Sequence, residues 1–373
     1  MLVYLFFPAA VIAAGCLCEI PFRKRGISPT KGVEYGFLAA FGLAVFAISA
    51  MRYFTGSDYG SYAELFRSFY FLSEEELFGL AHEKGFLMPL YAISPAVSDL
   101  RTFFAVISAV CALGVTMLIK RYSGSVTVAA AAFILGGAWF YSMNFLRQFI
   151  AGMLVMAALR YAESREFLRF LTVILAAAAF HWSAIILIPV YFLLKIRWNT
   201  TVMLFGGLAV LGGQIASEFA VNMGIELLYT KYKEQYTPDL AGLPVYYALG
   251  FSALFVLAYL LRERLYKRSE MNVIFVNCLF LTAFFEILGI RFAMLSRFAV
   301  LFVLPSLLGA VPELFICVSD ILSEKKGKRG RLIAAAVFAA FGVAYYGCLL
   351  AMDGNGVVPY RTYETVMSEV SGE

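Results

Sequence analysis

Long apolar stretches joined by short charged connections limit this chain to very few architectures. They fall at 1–20, 33–51, 102–119, 125–143, 145–162, 168–180, 182–194, 200–220, 243–261, 271–290, 292–316 and 332–350. A helix needs about 20 mostly apolar residues to cross a bilayer, and only a helix or a closed barrel satisfies its backbone there. Of the 373 residues, 62% are hydrophobic and 15% charged, and mean hydropathy is +0.80, outside the usage of a soluble domain. The pattern predicts an all-α polytopic integral membrane protein with about 12 membrane segments. It forms one domain over 1–373, and 52–100 is its main extracytoplasmic segment.

Met1-Leu-Val-Tyr-Leu-Phe-Phe-Pro8 has no basic residues ahead of its apolar run and no small-residue cleavage site, so it reads as a retained helix. Arg23-Lys24-Arg25 and Lys31 follow it, which places the N-terminus outside. Cys16, Cys18, Cys111, Cys278, Cys317 and Cys348 all sit in apolar runs and behave as small hydrophobes. The basic loop Lys325–Arg331 reads as a cytoplasmic topology determinant, and no nucleic-acid partner is expected.

The stretch 168–194 is either one long tilted helix or two short ones meeting near His181. A hairpin there puts most of the 30 Lys and Arg residues on the cytoplasmic side, whereas a single span leaves fewer than half of them inside. Orientation follows the Lys/Arg bias of short loops, so the hairpin is favoured. Its arms are too short to cross individually, and the tip is expected in a protein-lined or water-filled pocket on the outer side. The outer segments are then 52–100, 221–242 with Tyr229, Tyr232 and Tyr236 as interfacial anchors, and the tail 351–373.

Two polar stretches interrupt runs that should be apolar: Asn144-Phe145-Leu146-Arg147-Gln148 and Phe180-His181-Trp182-Ser183. A cation in hydrocarbon costs at least ~2.5 kcal/mol, so such residues are functional candidates. Arg52, Arg147, Arg291 and Arg297 fall at the outer boundary, where guanidinium groups suit an anionic head group such as a lipid-linked diphosphate. The bland alternative for any one of them is snorkelling to the interface. His181 serves as base, acid or cationic anchor, or else as a satisfied core histidine. Asp58, between Gly56 and Gly60, and Glu83 are the outer carboxylates placed to take a proton from an acceptor hydroxyl, or else they are a solvated turn and a salt bridge. His82 reads as a surface residue. No histidine and carboxylate spacing indicates a metal, and no glycine-rich stretch fits a nucleotide template.

In order, Arg52-Tyr53, Gly56-Ser57-Asp58-Tyr59, Tyr62, Glu83-Lys84-Gly85-Phe86, Phe145-Leu146-Arg147-Gln148, Phe180-His181-Trp182-Ser183-Ala184, Arg297-Phe298 ahead of Pro305 and Val358-Pro359-Tyr360 resemble the EpsG family, the Wzy-like polymerases of bacterial exopolysaccharide and capsule. Ser57 stands where that pattern often has Thr, and Lys84 where it often has the rigid turn residue Pro. The resemblance implies a C-type-like membrane glycosyltransferase that polymerises polyprenyl-diphosphate-linked oligosaccharides. It would act on the outer face of the bacterial cytoplasmic membrane, without a cofactor, nucleotide sugar or required metal. A chain-length regulator and a flippase of the same pathway are its expected partners. Arg147 and Arg297, helped by Arg52, would neutralise the leaving diphosphate, and Asp58 or His181 would deprotonate the acceptor. Tyr59, Tyr62, Glu83, Gln148, Ser183 and Arg291, with Arg52, would contact substrate. The rivals are a lipid-linked oligosaccharide flippase or transporter, favoured by Glu286 within an apolar run, and a polysaccharide ligase.

Overall fold

The computed structural model describes residues 2–24, 31–80, 83–97, 99–228 and 245–371, and every regular element among them is helical. His82 and the stretch carrying Tyr229, Tyr232 and Tyr236 lie outside the described residues. In chain order the α-helices are α1 (Leu2–Lys24), α2 (Lys31–Met51), α3 (Tyr59–Phe71), α4 (Glu74–Gly79), α5 (Lys84–Ile93), α6 (Leu100–Tyr122), α7 (Val126–Leu135), α8 (Ala138–Asn144), α9 (Leu146–Glu163) and α10 (Phe167–Phe180). They continue with α11 (Leu187–Val190), α12 (Thr200–Leu228), α13 (Val245–Leu260), α14 (Arg262–Arg268), α15 (Met271–Gly289), α16 (Ala293–Ser296), α17 (Val300–Leu304), α18 (Val311–Lys326), α19 (Lys328–Met352) and α20 (Tyr363–Ser371).

Among the described residues, five helical stretches are long and apolar enough to cross a membrane alone: α2, α6, α15, the run Ala293–Lys326 and α19. The number rises to seven if α7 with α8 and α13 with α14 each count as one bent span. Leu2–Cys18, Phe167–Phe180 and Thr200–Ala216 are shorter apolar helices. The sequence reading of 125–143 as one span meets a 59° bend, made at Gly137, whose φ of +81° is open to glycine and strained for other residues. The run Ala293–Lys326 includes a 3-10 turn at Arg297–Ala299 and a π turn at Pro305–Ala310, where proline removes a helical donor.

Burial separates the helices into layers. α15 and Ala293–Lys326 are almost wholly enclosed, whereas α2 and α19 show most of their surface to the surroundings. Polar side chains fix the inner layer: the Asn277 amide donates to Leu194 O (3.0 Å) and Ile196 O (2.8 Å) and accepts from Trp198 Nε1 (3.0 Å). In a bilayer such bonds matter because no water substitutes for a missing partner.

The stretch 168–194 turns back on itself. α10 stops at His181, whose backbone is extended (φ −155°, ψ 115°), and a 3-10 turn begins at Trp182. Phe167 meets Tyr191 at 4.9 Å between ring centroids, and Lys195 Nζ donates to Glu163 O at 2.9 Å. The two ends of the stretch therefore sit together, and His181 is at the tip between them.

Candidate active site

Glu83 joins the two polar stretches. One carboxylate oxygen pairs with Arg147 Nη1 at 2.5 Å, and the other meets His181 Nδ1 at 2.8 Å. The second oxygen also accepts the Trp182 N–H at 3.4 Å, so Glu83 caps the first amide of the returning arm, one of those that a helical start leaves unpaired. The approach depends on Gly85. A Cβ there would lie 2.5 Å from Ala179 O, so only glycine lets the start of α5 rest on the end of α10. Burial alone pushes the Glu83 carboxyl up, but the His181 hydrogen bond and the Arg147 charge outweigh it and hold it down at about 2. Nδ1 faces the carboxylate as a donor, and among the described residues Nε2 has no hydrogen-bond partner.

Asp58 approaches from the other side. Gly56 has φ +108°, and a Cβ on it would sit 2.5 Å from Asn144 Oδ1. The Gly56–Asp58 turn thus packs directly on the break between α8 and α9, and Ser57 Oγ donates to the same Asn144 oxygen at 3.4 Å. Asn144 is fully buried and donates to Phe140 O at 3.2 Å. Burial raises the Asp58 carboxyl above the ordinary carboxylate range, and the positive charges of Arg297 and Arg147 pull it only part of the way back. Those two guanidinium groups are the charges that Asp58 faces.

Arg297 is exposed on its 3-10 turn, with its guanidinium 5.8 Å from the Phe145 ring. Gln148 is buried, and its amide donates to the Arg297 backbone carbonyl. The start of α9 therefore presents Arg147 itself and, through Phe145 and Gln148, sets the position of Arg297.

The remaining candidates divide. Tyr62 is buried with its hydroxyl against the Arg147 guanidinium. Ser183 follows the hairpin tip and has a buried hydroxyl without a hydrogen-bond partner, as does Tyr59, whose ring stacks on Phe104 at 4.0 Å. Arg52 is 1% exposed. It donates to Ser49 O, Ser108 Oγ and Met143 O and lies 4.9 Å from the Phe104 ring, so it faces the protein interior beneath the turn. Arg291 turns toward α12, donating to Gln214 O at 3.4 Å.

The tail completes this end of the molecule. Gly56 and Ser57 donate their amides to Gly356 O (2.8 Å) and Asn355 O (2.9 Å), and Tyr53 donates to Arg361 O (2.9 Å). Tyr4 from α1 donates to Val357 O, and Tyr360 to Ile48 O at 2.6 Å. Sequence reasoning placed the tail on the same face as 52–100 but gave it no part in the site. Its single signal was Val358-Pro359-Tyr360, which showed a motif and not a contact.

Two guanidinium groups, two carboxylates of opposite shift and an imidazole with one unengaged nitrogen thus converge at one end of an apolar bundle. Such a group can bind a diphosphate and accept a proton. No curated protein and no solved structure matches the chain. The sequence model of the EpsG family matches residues 36–362, a range that contains each of the candidate residues described above. By that match over most of its length, the chain belongs to the EpsG family.

Proposed function

We propose that this protein polymerises polyprenyl-diphosphate-linked oligosaccharide repeat units into exopolysaccharide or capsule at the outer face of the cytoplasmic membrane. Membership of the family carries a membrane polysaccharide-polymerase type of function. The donor, the face and the residue roles are our reading. The observation that carries it is the Glu83 carboxylate shared between Arg147 and His181, beside the Asp58 and Arg297 charges.

In the reaction an acceptor hydroxyl oxygen attacks the anomeric carbon of the donor sugar. The bond from that carbon to the phosphate oxygen breaks, and the electron pair leaves with the polyprenyl diphosphate. Arg297, exposed and with no carboxylate bonded to it among the described residues, and Arg147 stabilise the negative charge as it develops, the effect that usually dominates such catalysis. His181 takes the hydroxyl proton at Nε2. Glu83 holds the ring by Nδ1, as an orienting carboxylate does in a catalytic triad. Asp58 faces both guanidinium groups and binds acceptor hydroxyls. Tyr62 and the free hydroxyl of Ser183 contact sugar, Gln148 positions Arg297, and Arg52 positions the Gly56–Asp58 turn.

Arg147→Ala and His181→Ala are expected to reach the membrane at normal levels, abolish chain extension and accumulate single repeat units. Polymer of normal length from either variant removes that residue from the mechanism. One observation favours transport as a second reading: Glu286 is buried in α15 with Oε2 unpartnered, as an ionisable group on a translocation path would be. Lengthening of lipid-linked glycans by purified protein in detergent, where there are no sides to transport between, decides for the polymerase.

A further inference from the structure

At the other end of the bundle, α1, α7, α13, the Pro305–Ala310 turn and α19 surround an apolar cavity of about 650 Å³. Lys328, Arg331, Leu332, Ala335, Phe338 and Tyr345 line it along one face of α19. Residues 328 to 345 of a helix rise about 25 Å at ~1.5 Å per residue, more than the ~15 Å of hydrocarbon in one leaflet. α19 is a peripheral helix with most of its surface open, so the groove can be entered from the bilayer.

Lys328 and Arg331 are the charged residues of the lining. They mark the end away from the candidate active site, because α19 runs from them to Met352 and straight into the tail that pairs with the Gly56 turn. Several other cations at this end are paired, Lys120 with Glu34, Arg197 with Glu270, Arg264 with Glu324 and Arg268 with Glu313, whereas Lys325, Lys326 and Arg329 have no ion pair among the described residues but lie outside the lining. Lys328 and Arg331 have no ion pair among the described residues. The first amides of α19 have no side-chain cap. Thr127, which also lines the groove, has a buried hydroxyl without a partner. A void of this size with apolar walls forfeits packing unless something fills it.

We infer that this groove binds an anionic glycerophospholipid from the leaflet at the Lys- and Arg-rich end, with its phosphate at Lys328 and Arg331 and one acyl chain along α19. Lys328 and Arg331 suit an anionic head group, and the polyprenyl diphosphate of the proposed reaction is set aside because its phosphates belong at the opposite end. That exclusion rests on the proposed reaction; the groove and its two cations do not. The site stabilises the fold by filling the space between α19, α7 and α13.

The test uses the full-length protein, delipidated in detergent, and reads the thermal shift and the apparent affinity on adding phosphatidylglycerol or phosphatidylcholine. Phosphatidylglycerol is expected to raise the melting temperature and phosphatidylcholine to leave it unchanged. Lys328→Gln with Arg331→Gln should weaken phosphatidylglycerol binding by about tenfold or more, given the worth of two basic groups at a membrane surface. Lys325→Gln with Lys326→Gln makes the same charge change outside the lining and should leave binding intact. Ala335→Leu narrows the groove and should also weaken it. Equal shifts from the two lipids, equal losses from the two double variants, or displacement of the lipid by polyprenyl phosphate or by a second copy of the chain would each overturn the assignment.

Discussion

Glu83 and Asp58 are two carboxylates at one site that respond oppositely to their surroundings, and pH separates them. The Glu83 carboxyl is held at about 2 against an ordinary 4.5, so its contribution to stability is present above pH 4.5 and is lost as pH falls toward 2. Glu83→Gln is therefore expected to melt at a lower temperature at neutral pH and to show a flatter acid limb between pH 4.5 and 2. The loss is about 1–3 kcal/mol, below the value for a fully buried pair because these side chains are 17–25% exposed. An unchanged acid limb in detergent melts would refute it. Asp58 has the opposite sign: its carboxyl is raised, so its charge opposes folding above the unfolded value of 3.8 and the penalty lifts as pH falls. Asp58 makes no side-chain cap bond to α3, so Asp58→Asn forfeits no cap. It should match or exceed the wild-type melting temperature at neutral pH while polymer output falls; a fall in both would make Asp58 structural. Sequence alone singles out Arg147 and His181, because ionisable side chains in an apolar run are conspicuous. It cannot show that Glu83 lies between them, since the contacts span 64 and 98 positions of the chain. For the same reason Arg52 and Arg297 look alike in sequence, although one faces the interior and the other is exposed.

Between elements, the critical joint is α5 against α10. Gly85→Ala places a methyl 2.5 Å from Ala179 O, and a backbone atom cannot rotate away as a side chain would. α5 must then shift outward and take Glu83 from His181. The expected cost is about 1–3 kcal/mol of overpacking, with chain extension reduced about tenfold or more because His181 loses its orienting carboxylate. Activity within twofold of wild type would show that the close approach is dispensable. The turn at His181 behind this joint was legible from the distribution of Lys and Arg, because a reversal there keeps the basic bias of the short loops consistent along the chain. The bend between α7 and α8 was not, because glycine in an apolar helix is equally compatible with close packing and with a turn. Nor did hydropathy separate helices able to cross alone from short or bent ones, since it averages over windows longer than α8 or α11.

For the whole molecule, the start of α1, the loop after α2 and the tail meet at one face: Tyr4 of α1, the loop 52–57 and residues 353–362 are joined by hydrogen bonds. This arrangement gives the tail a function although it contains none of the candidate catalytic groups. Asp353 Oδ1 accepts from Val357 N (2.7 Å) and Val358 N (3.1 Å), which folds the tail back so that Asn355 and Gly356 offer their carbonyls to Ser57 and Gly56. If the chain ends at Met352, the amides of Tyr53, Gly56 and Ser57 lose their acceptors, at about 0.5–1.5 kcal/mol each. The cost falls on a turn whose positive φ at Gly56 already depends on support from both sides. The truncated protein should still enter the membrane, because α19 ends at Met352 and the candidate spans among the described residues lie before that point. Chain extension should be lost, with repeat units accumulating as in Arg147→Ala. Asp353→Ala, which removes only the acceptor that folds the tail back, should give an intermediate polymer yield. Should the truncated chain make polymer of normal length, the Gly56–Asp58 turn holds its shape on Asn144 alone, and the tail would then serve only to cover it.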